Sequence, residues 1–375
     1  MLSLDIEQFW RDDELAHREN CFAAAAPQMA LGIRMSDECV FAELGEEGDP
    51  WGVTPLERRI ELNKRYNEKA VKIVGRPLLR EKFAPADARF PAFRQIGEVF
   101  GGTYYFDGHT TWLTQGMNTV EDLEKRLDWI DALTPQSFKD FVLPENWESE
   151  KKRLAQMYNL RPPLFRHIRG PVTLACSVFG TENLIFLIYD EPELAERFSR
   201  TITRVVKLYI DLFDSEAGYT RETSPHGFSF ADDNSALLTP DMYELFGFPI
   251  LRDIFAYQCP NPTDWRFQHS DSAMGHHLPA LGRLNLSGCN FGPTVSVAEI
   301  RKYMPHTRID GVLAPLVFMR NETDEIIAQV KRDAQQARES GVKGVNFATA
   351  GSINNGSLLT SMRTVMAAIQ NYARY

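Results

Sequence analysis

From about Leu164 to the C-terminus, the chain alternates short apolar runs with longer segments whose apolar residues recur at helical spacing. A polar or glycine- and proline-rich loop separates each run from the helical segment that follows. This alternation is typical of βα units built around a parallel sheet. It predicts six strand regions, the first including a loop, at 165–177, 227–233, 266–271, 284–290, 309–315 and 344–351.

The helical segments carry recognisable start and stop signals. Thr239-Pro240 offers a capping hydroxyl and a proline for the first helical position. Asp190 and Glu193 have the spacing of a capping box. Apolar residues recur from Ile326 to Ala337, and Gly341 stands where a helix would end. These boundaries support the predicted order of strands and helices.

The N-terminal part has a different pattern. Residues 1–100 are rich in charged helix formers, which predicts a helical extension or lid packed on a barrel of residues 101–375. Two weaker strand candidates, at 28–33 and 103–113, bring the strand number to eight. The predicted fold class is therefore α/β, a (β/α)8 TIM barrel with an N-terminal helical extension, because such barrels reach this length as one domain.

Composition narrows the function classes. The formal net charge is -10, and the basic residues form no long runs, which argues against a nucleic acid or an anionic membrane as partner. No apolar stretch reaches the roughly 18 residues that a membrane span needs. The first residues lack the order of a secretory signal, and the five scattered cysteines form no C-x-x-C pair. These features predict a cytoplasmic protein with reduced thiols.

In a (β/α)8 barrel the chemistry lies where the strands end, at their carboxyl ends. We therefore expect the polar residues that end the predicted strands to converge on one rim. They are Arg169, Asp232, Asp233, His269, Asp271, Cys289, Asn290 and the segment 346–352. No phosphate loop, dinucleotide fingerprint, nucleophile elbow or H-E-x-x-H motif is present, which argues against kinases, simple dehydrogenases and serine hydrolases.

Two acidic motifs carry most of the predicted chemistry. Asp232 and Asp233 are adjacent, so strand alternation lets at most one of them face the barrel mouth, as a base, a metal ligand or an arginine partner. The alternative is that the pair caps a turn or the helix that starts at Thr239. His269 and Asp271 face the same side of an extended segment, where they form either a metal site or an acid/base couple. The alternative is a structural histidine in a loop.

Other candidates have equally ordinary alternatives. Tyr104, Tyr105 and Trp112 line an aromatic substrate pocket or belong to a core strand. His276 points toward the site or begins a solvated helix. Cys289 is either a soft metal ligand or a small apolar filler.

Several of these segments together resemble the uroporphyrinogen decarboxylase superfamily, which includes corrinoid-linked methyltransferases. The carriers are the stretch 230–240 (FADDNSALLTP), the segment 243–246 (YELF) with Pro249, and His269-Ser-Asp271. The strand at 309–315 and the turn Thr349-Ala-Gly-Ser352 follow in the same order. The resemblance covers about residues 166–375 and implies a TIM barrel and a homodimer.

Within this superfamily the resemblance favours methyl transfer. The arginine-rich R-Q-A-G-R-Y segment of the decarboxylases is absent, and His269-x-Asp271 stands where the zinc thiol methyltransferases have H-x-C. Members that demethylate aryl methyl ethers carry an acid 36 positions before the histidine, as Asp233 precedes His269, although their intermediate acid would fall at Phe248 here.

The resemblance implies a metal-assisted methyltransferase that moves a methyl group from a small O-methylated substrate to a corrinoid on a partner protein. Zinc would be held by Asp233, His269 and Cys289. The implied catalytic residues are Asp232, Asp271 and Arg169, and the substrate-binding ones are Tyr104, Tyr105, Trp112, His276, Asn290 and Ser352.

Two other hypotheses for the function remain open. One is a metal-free decarboxylase of a tetrapyrrole or smaller carboxylic acid, in which Arg169 holds a carboxylate and an aspartate stabilises a protonated ring. The other is a barrel that only binds a small ligand or a protein. Metal analysis of Asp233 and His269 variants separates the methyltransferase from the decarboxylase. Mutations of the strand-end residues that leave binding unchanged would indicate the barrel that only binds.

Overall fold

The computed structural model describes residues 2–351 and 355–375. Nine strands lie within these residues. Their bounds are β1 (Ala30–Leu31), β2 (Tyr104–Phe106), β3 (Thr111–Leu113), β4 (His167–Arg169), β5 (Phe228–Ala231), β6 (Arg266–Ser270), β7 (Gly288–Phe291), β8 (Arg308–Asp310) and β9 (Val345–Phe347). Among the described strands, β1 with β9, β4 with β5, β6 with β7, β7 with β8 and β8 with β9 pair in parallel, as expected of βα units, whereas β2 and β3 pair antiparallel.

Helices occupy most of the remaining described residues. They are α1 (Ile6–Ala16), α2 (Arg18–Cys21), α3 (Cys39–Leu44), α4 (Leu56–Val74), α5 (Ile96–Val99), α6 (Val120–Asp131), α7 (Pro135–Val142), α8 (Trp147–Tyr158), α9 (Pro171–Phe179), α10 (Thr181–Asp190), α11 (Pro192–Glu216), α12 (Pro240–Leu245), α13 (Gly247–Gln258), α14 (Leu278–Leu281), α15 (Val297–Tyr303), α16 (Pro315–Met319), α17 (Thr323–Glu339) and α18 (Leu359–Tyr372). Short 3-10 helices span Asp233–Leu237, Gly275–His277 and Gly282–Leu284. The alternation of seven parallel strands with helices in the described chain has the α/β pattern of a (β/α)8 barrel.

The chain divides into two compact units. One comprises residues 1–83 and 267–375, and the other comprises residues 84–266. In the first unit, strands pair in the order β1, β9, β8, β7 and β6. The first strand of the chain thus pairs with the last, as it does in a (β/α)8 barrel, which confirms the weak strand candidate at 28–33.

The second unit contains the parallel pair β4 and β5 and a core rich in aromatic rings. Phe165 stacks on Tyr209 with ring centroids 4.8 Å apart, and Trp147 meets Phe213 edge-on at 6.0 Å. Tyr209 and Phe213 lie one turn apart on α11, whose apolar stripe faces this core. Burial of these large rings is a main source of stability for the unit.

Most predicted elements are confirmed, including the helix start at Thr239-Pro240, where the Thr239 hydroxyl accepts from the Met242 amide at 3.3 Å. The single strand predicted at 103–113 is wrong, because residues 107–110 form a turn between β2 and β3. The Asp107 carboxylate accepts from the amides of His109 (2.9 Å) and Thr110 (2.8 Å), which stabilises this hairpin.

Two other boundaries differ from the prediction. The apolar run after Arg169 is helical, because Pro171 occupies the first turn of α9. The predicted capping box at Asp190 is also wrong, since Asp190 ends α10 and Glu191 precedes α11 without a side-chain cap. The predicted domain boundary at residue 100 stays a prediction.

No single helix among the described residues is both long and apolar enough to cross a membrane. The consecutive helices α9 and α10, bent by 105°, reach that length and apolarity only when they are taken together. The cytoplasmic location stays a prediction.

Candidate active site

The strand register of the first unit places four polar residues side by side. His269 on β6 lies opposite Asn290 on β7, Asn290 lies opposite Asp310 on β8, and Asp310 lies opposite Asn346 on β9. Directly opposed residues of parallel strands share a face of the sheet. We call His269, Asn290, Asp310 and Asn346 the polar row.

His269 and Asp271 form the more exposed end of this site. The His269 Nε2 atom lies 3.4 Å from an Asp271 carboxylate oxygen, and the side chains are 21% and 53% exposed. The two residues therefore face the same side, as their spacing predicts. An imidazole nitrogen beside a carboxylate oxygen is suited either to binding a divalent cation or to moving a proton.

The other ring nitrogen of His269 is held by Asn290. Nδ1 lies 2.7 Å from Asn290 Oδ1, whereas the Asn290 Nδ2 atom lies 2.5 Å from the Asp310 carbonyl and 3.1 Å from the Thr349 carbonyl. Asn290 thus links three consecutive strands and the turn that follows β9. This predicted substrate-binding residue supports the imidazole ring.

The far end of the polar row is a charged cluster. Arg308 makes two hydrogen bonds to the Asp310 carboxylate, at 2.7 and 2.5 Å, and a third to Asn20 at 2.7 Å. Asn346 Nδ2 donates to Asp310 at 2.8 Å, while its buried Oδ1 makes no hydrogen bond within the described residues. The positive charge of Arg308 is therefore paired with the carboxylate of Asp310 in this partly buried position.

Sequence reasoning missed Arg308 and Asp310. A signal was present, because Arg308-Ile-Asp310 places both charges on one face of a strand, as His269-x-Asp271 does. The strand was predicted to begin at Ile309, so Arg308 was left outside it and the pair was not recognised.

Cys289 does not join His269. It lies opposite Gln268 on β6, on the other face of β7 from Asn290, and it is fully buried. Burial raises the pKa of its thiol far above the usual range, which disfavours the thiolate that a metal requires. Within residues 2–351 and 355–375, no group of three or more His, Cys, Asp or Glu residues could hold a metal ion. The predicted ligand Cys289 is therefore better described as a core residue.

In the second unit, Asp232 follows β5 and lies inside the protein. Its carboxylate accepts from the Thr173 amide in the first turn of α9 at 2.8 Å. Complete burial raises the pKa of Asp232 to about 6, the Thr173 amide opposes this shift, and the charge of Asp233 adds to it. Asp232 therefore anchors the start of α9 and not the helix that begins at Pro240, and Asp233 begins the next 3-10 helix in a half-buried position.

Of the remaining predicted residues of the second unit, Tyr104, Tyr105 and Trp112 lie in the β2–β3 hairpin, and Arg169 ends β4. Burial raises the pKa of Tyr104, and the positive charge of Arg169, at the exposed end of β4, opposes that shift. Tyr105 and Trp112 are opposite each other in the hairpin and about half exposed. They are surface residues of this hairpin and are not part of a core strand.

Two predicted substrate-binding residues lie elsewhere. His276 is exposed in the 3-10 helix before α14, with its ring 3.9 Å from that of the buried His277, so the predicted helix start is confirmed. Ser352 lies outside the described residues. The roles predicted for the site residues of both units stay predictions.

Comparisons with known proteins provide the family context. The structure resembles a methyltransferase from Methanosarcina mazei, with a TM-score of 0.57, 14% sequence identity and 99% of each chain covered. A B12-independent methionine synthase from Shewanella sp. W3-18-1, in complex with selenomethionine, aligns with a TM-score of 0.35 and 11% identity over 84% of this chain and 85% of its own. No curated protein sequence matches this chain.

At these identities the structural likeness to the Methanosarcina protein shows the fold alone. A family model described as uroporphyrinogen decarboxylase matches residues 149–372, which is more than half of the chain and includes β4 to β9. The (β/α)8 fold and this match agree with each other. The chain belongs to the uroporphyrinogen decarboxylase family.

Proposed function

We propose that this protein is a metal-assisted methyltransferase that transfers a methyl group from a small O-methylated substrate to a corrinoid carried by a separate protein. The observation that carries the proposal is the convergence of His269 Nε2 and the Asp271 carboxylate, 3.4 Å apart, at the exposed end of the polar row. The family contains methyltransferases as well as decarboxylases, according to the resemblance described above.

His269 and Asp271 offer donor atoms that suit a zinc ion. Imidazole nitrogen and carboxylate oxygen are both ordinary zinc ligands, and a catalytic site keeps at least one position for water or substrate. His269 and Asp271 therefore fit as two ligands, and Cys289 does not. Asp233 belongs to the other compact unit, and its part as a further ligand stays a prediction.

The residues have separate tasks in this proposal. His269 offers Nε2 and Asp271 offers one carboxylate oxygen, while Asn290 holds the ring from its other side. A cation bound here would supply Lewis acidity toward the oxygen that loses the methyl group. The partial exposure of both side chains leaves room for a substrate to approach the pair.

Metal analysis of the full-length protein tests this proposal. We expect zinc to bind the wild-type chain, and His269→Ala or Asp271→Asn to weaken that binding by at least tenfold. His226→Ala is a matched control, because His226 forms a comparable pair with Asp264 at 3.1 Å in the second unit. Zinc binding that is unchanged in both site variants would contradict the proposed site.

The activity is tested with free reduced cobalamin and a panel of methoxylated aromatic compounds. Methyl transfer changes the absorption spectrum of the corrinoid, and we expect this change with wild-type protein and not with His269→Ala. If metal-loaded wild-type protein methylates no corrinoid from any panel member, the proposed reaction is wrong even where zinc binds.

A second candidate is decarboxylation of a tetrapyrrole or smaller carboxylic acid. Arg169 favours it, because this exposed cation ends a strand within the family match and could hold a substrate carboxylate. In that case, carbon dioxide release from uroporphyrinogen or a simpler acid would depend on Arg169 and would not require zinc. Loss of the release in Arg169→Ala, with full activity in His269→Ala, would select this alternative.

A further inference from the structure

The orientation of the Asn290 amide can be deduced from its neighbours. One end of the amide lies 2.5 Å from the Asp310 carbonyl and 3.1 Å from the Thr349 carbonyl. Carbonyl oxygens only accept hydrogen bonds, so this end must be the NH2 group. The reversed amide would place its oxygen against two other oxygens. Two backbone acceptors therefore determine the orientation.

The orientation of Asn290 in turn determines the state of His269. With the NH2 group directed at the carbonyls, the amide oxygen faces Nδ1 of His269 at 2.7 Å. This oxygen also lies 3.5 Å from the Gly351 amide, a second donor directed at it. Because an amide oxygen cannot donate, Nδ1 must carry the proton. The neutral ring then has its lone pair on Nε2, the atom next to Asp271.

The Asn290 side chain is held in this orientation by the strands around it. Its strand is paired with β6 through His269 and with β8 through Asp310, so three strands set the amide and the ring at one level. Rotation of the Asn290 side chain would break both bonds to backbone carbonyls at once. The rotated form is disfavoured, because both partly buried carbonyls would lose their donor.

We propose that Asn290 is a positioning residue that holds His269 in its Nδ1–H tautomer and so directs the Nε2 lone pair toward the space beside Asp271. The use of that lone pair to bind a cation rests on the proposed function. The tautomer itself does not. Asn290 is thereby assigned to the support of the histidine rather than to the substrate.

Nitrogen NMR of the full-length, metal-free protein with 15N-labelled histidine tests the tautomer directly. The chain has eight histidines, and His269→Ala identifies the relevant signals. At a pH where His269 is neutral, we expect a protonated Nδ1 and an unprotonated Nε2. A protonated Nε2 in the wild-type protein would overturn the proposal without the need for any variant.

Two variants test whether Asn290 is the cause. Asn290→Leu removes the acceptor, and we expect the signals to shift toward the Nε2–H form. Asn346→Leu is the matched control, because Asn346 belongs to the same polar row but bonds to Asp310 and not to His269. Unchanged His269 signals in Asn290→Leu would overturn the proposal, as would an equal shift in the control.

A conservative variant covers the case in which Asn290→Leu does not fold. Asn290→Asp keeps an acceptor for Nδ1 and loses the two bonds to carbonyls, so we expect it to retain the Nδ1–H form. Loss of that form in a folded Asn290→Asp protein would count against the acceptor role.

Calorimetric titration with zinc alone separates this proposal from the proposed function. We expect Asn290→Leu to weaken zinc binding by about 10- to 100-fold, the usual effect of removing a group that orients a metal ligand. Asn346→Leu should bind zinc as the wild type does. If the tautomer is as proposed and the wild-type protein binds no zinc, the positioning role stands and the metal site is wrong.

Discussion

At the scale of single residues, the lack of a side chain at Gly351 protects the His269–Asp271 pair. Gly351 has a φ of +72°, and a Cβ atom there would lie 2.5 Å from an Asp271 carboxylate oxygen. Because Asp271 is partly exposed, its carboxylate would have to move away from such an atom, which would alter its 3.4 Å contact with His269. The site therefore depends on a residue with no functional group.

We expect Gly351→Ala to weaken zinc binding by displacing Asp271, and to lower the free energy of unfolding by about 1–2 kcal/mol through the left-handed backbone. Gly341→Ala is the matched control, because Gly341 has a φ of +68° and nothing within 4 Å of the added carbon. Urea unfolding should show similar losses in both variants, whereas zinc titration should show a defect only in Gly351→Ala. Equal zinc affinity in the two variants would contradict the steric argument.

Asp232 makes a second residue-scale prediction, which concerns pH. Burial raises the pKa of this carboxyl from 3.8 to about 6 in the folded protein. The folded protein therefore favours the protonated carboxyl. The resulting contribution to the free energy of unfolding is fully present below the pKa of the unfolded chain, 3.8, and is lost as the pH rises through the folded value of about 6. The shift corresponds to a loss of about 3 kcal/mol in the free energy of unfolding at neutral pH.

Asp232→Asn removes this ionisation and keeps an oxygen for the Thr173 amide. We expect the stability of the variant relative to the wild type to increase by about 2 kcal/mol between about pH 4.5 and about pH 7. Urea unfolding of both proteins at the two pH values measures this difference. A relative stability that stays constant, or falls, as the pH rises would show that Asp232 does not titrate in this range.

At the scale of elements, Asp13 connects α1 to β1. Its buried carboxylate accepts from the Leu31 amide at 2.7 Å and lies 3.5 Å from the His17 ring just after the helix. β1 has only two residues and pairs with β9, and this bond adds an anchor from β1 to α1. The carboxylate also raises the pKa of His17 to about 10, mainly through their hydrogen bond.

We expect Asp13→Ala to lower the free energy of unfolding by about 1–3 kcal/mol, because the buried Leu31 amide loses its acceptor. Urea unfolding checks this value, with the exposed neighbour Glu14→Ala as control. The interaction of Asp13 with protonated His17 contributes to the free energy of unfolding. This contribution is fully present below the ordinary His17 pKa of 6.5 and is lost as the pH rises through about 10. The difference between wild type and variant should thus narrow above about pH 10, and a difference that widens there would contradict the assigned pairing.

Some helices and strands could be predicted from neighbouring residues alone, and others could not. Capping by Thr239 and the strand Phe228–Ala231 were predictable, because a cap and a short alternating run depend on neighbouring residues. The hairpin at Tyr104–Leu113 was missed although Asp107-Gly108 is a strong turn signal. Apolar residues after Arg169 were taken for a strand and loop because a short buried helix and a buried strand have similar composition.

At the scale of the whole molecule, the binding partners are predicted mainly from family membership and from the acidic net charge of -10. The resemblance implies a homodimer, and the proposed reaction also needs a corrinoid protein. We expect light scattering after gel filtration to give twice the mass of one chain at micromolar concentration. A mass equal to one chain would contradict the predicted dimer and leave the His269 site unaffected.

The sequence by itself determined the βα alternation, the fold class and the acidic and imidazole groups at the strand ends, because these follow from periodicity and from the family's motifs. Only the tertiary structure decided which of these groups meet. The strand register joined His269 to Asn290 and Asp310, turned Cys289 to the opposite face and left Asp232 buried against α9. Register and burial depend on residues far apart in the chain, so no local pattern encodes them.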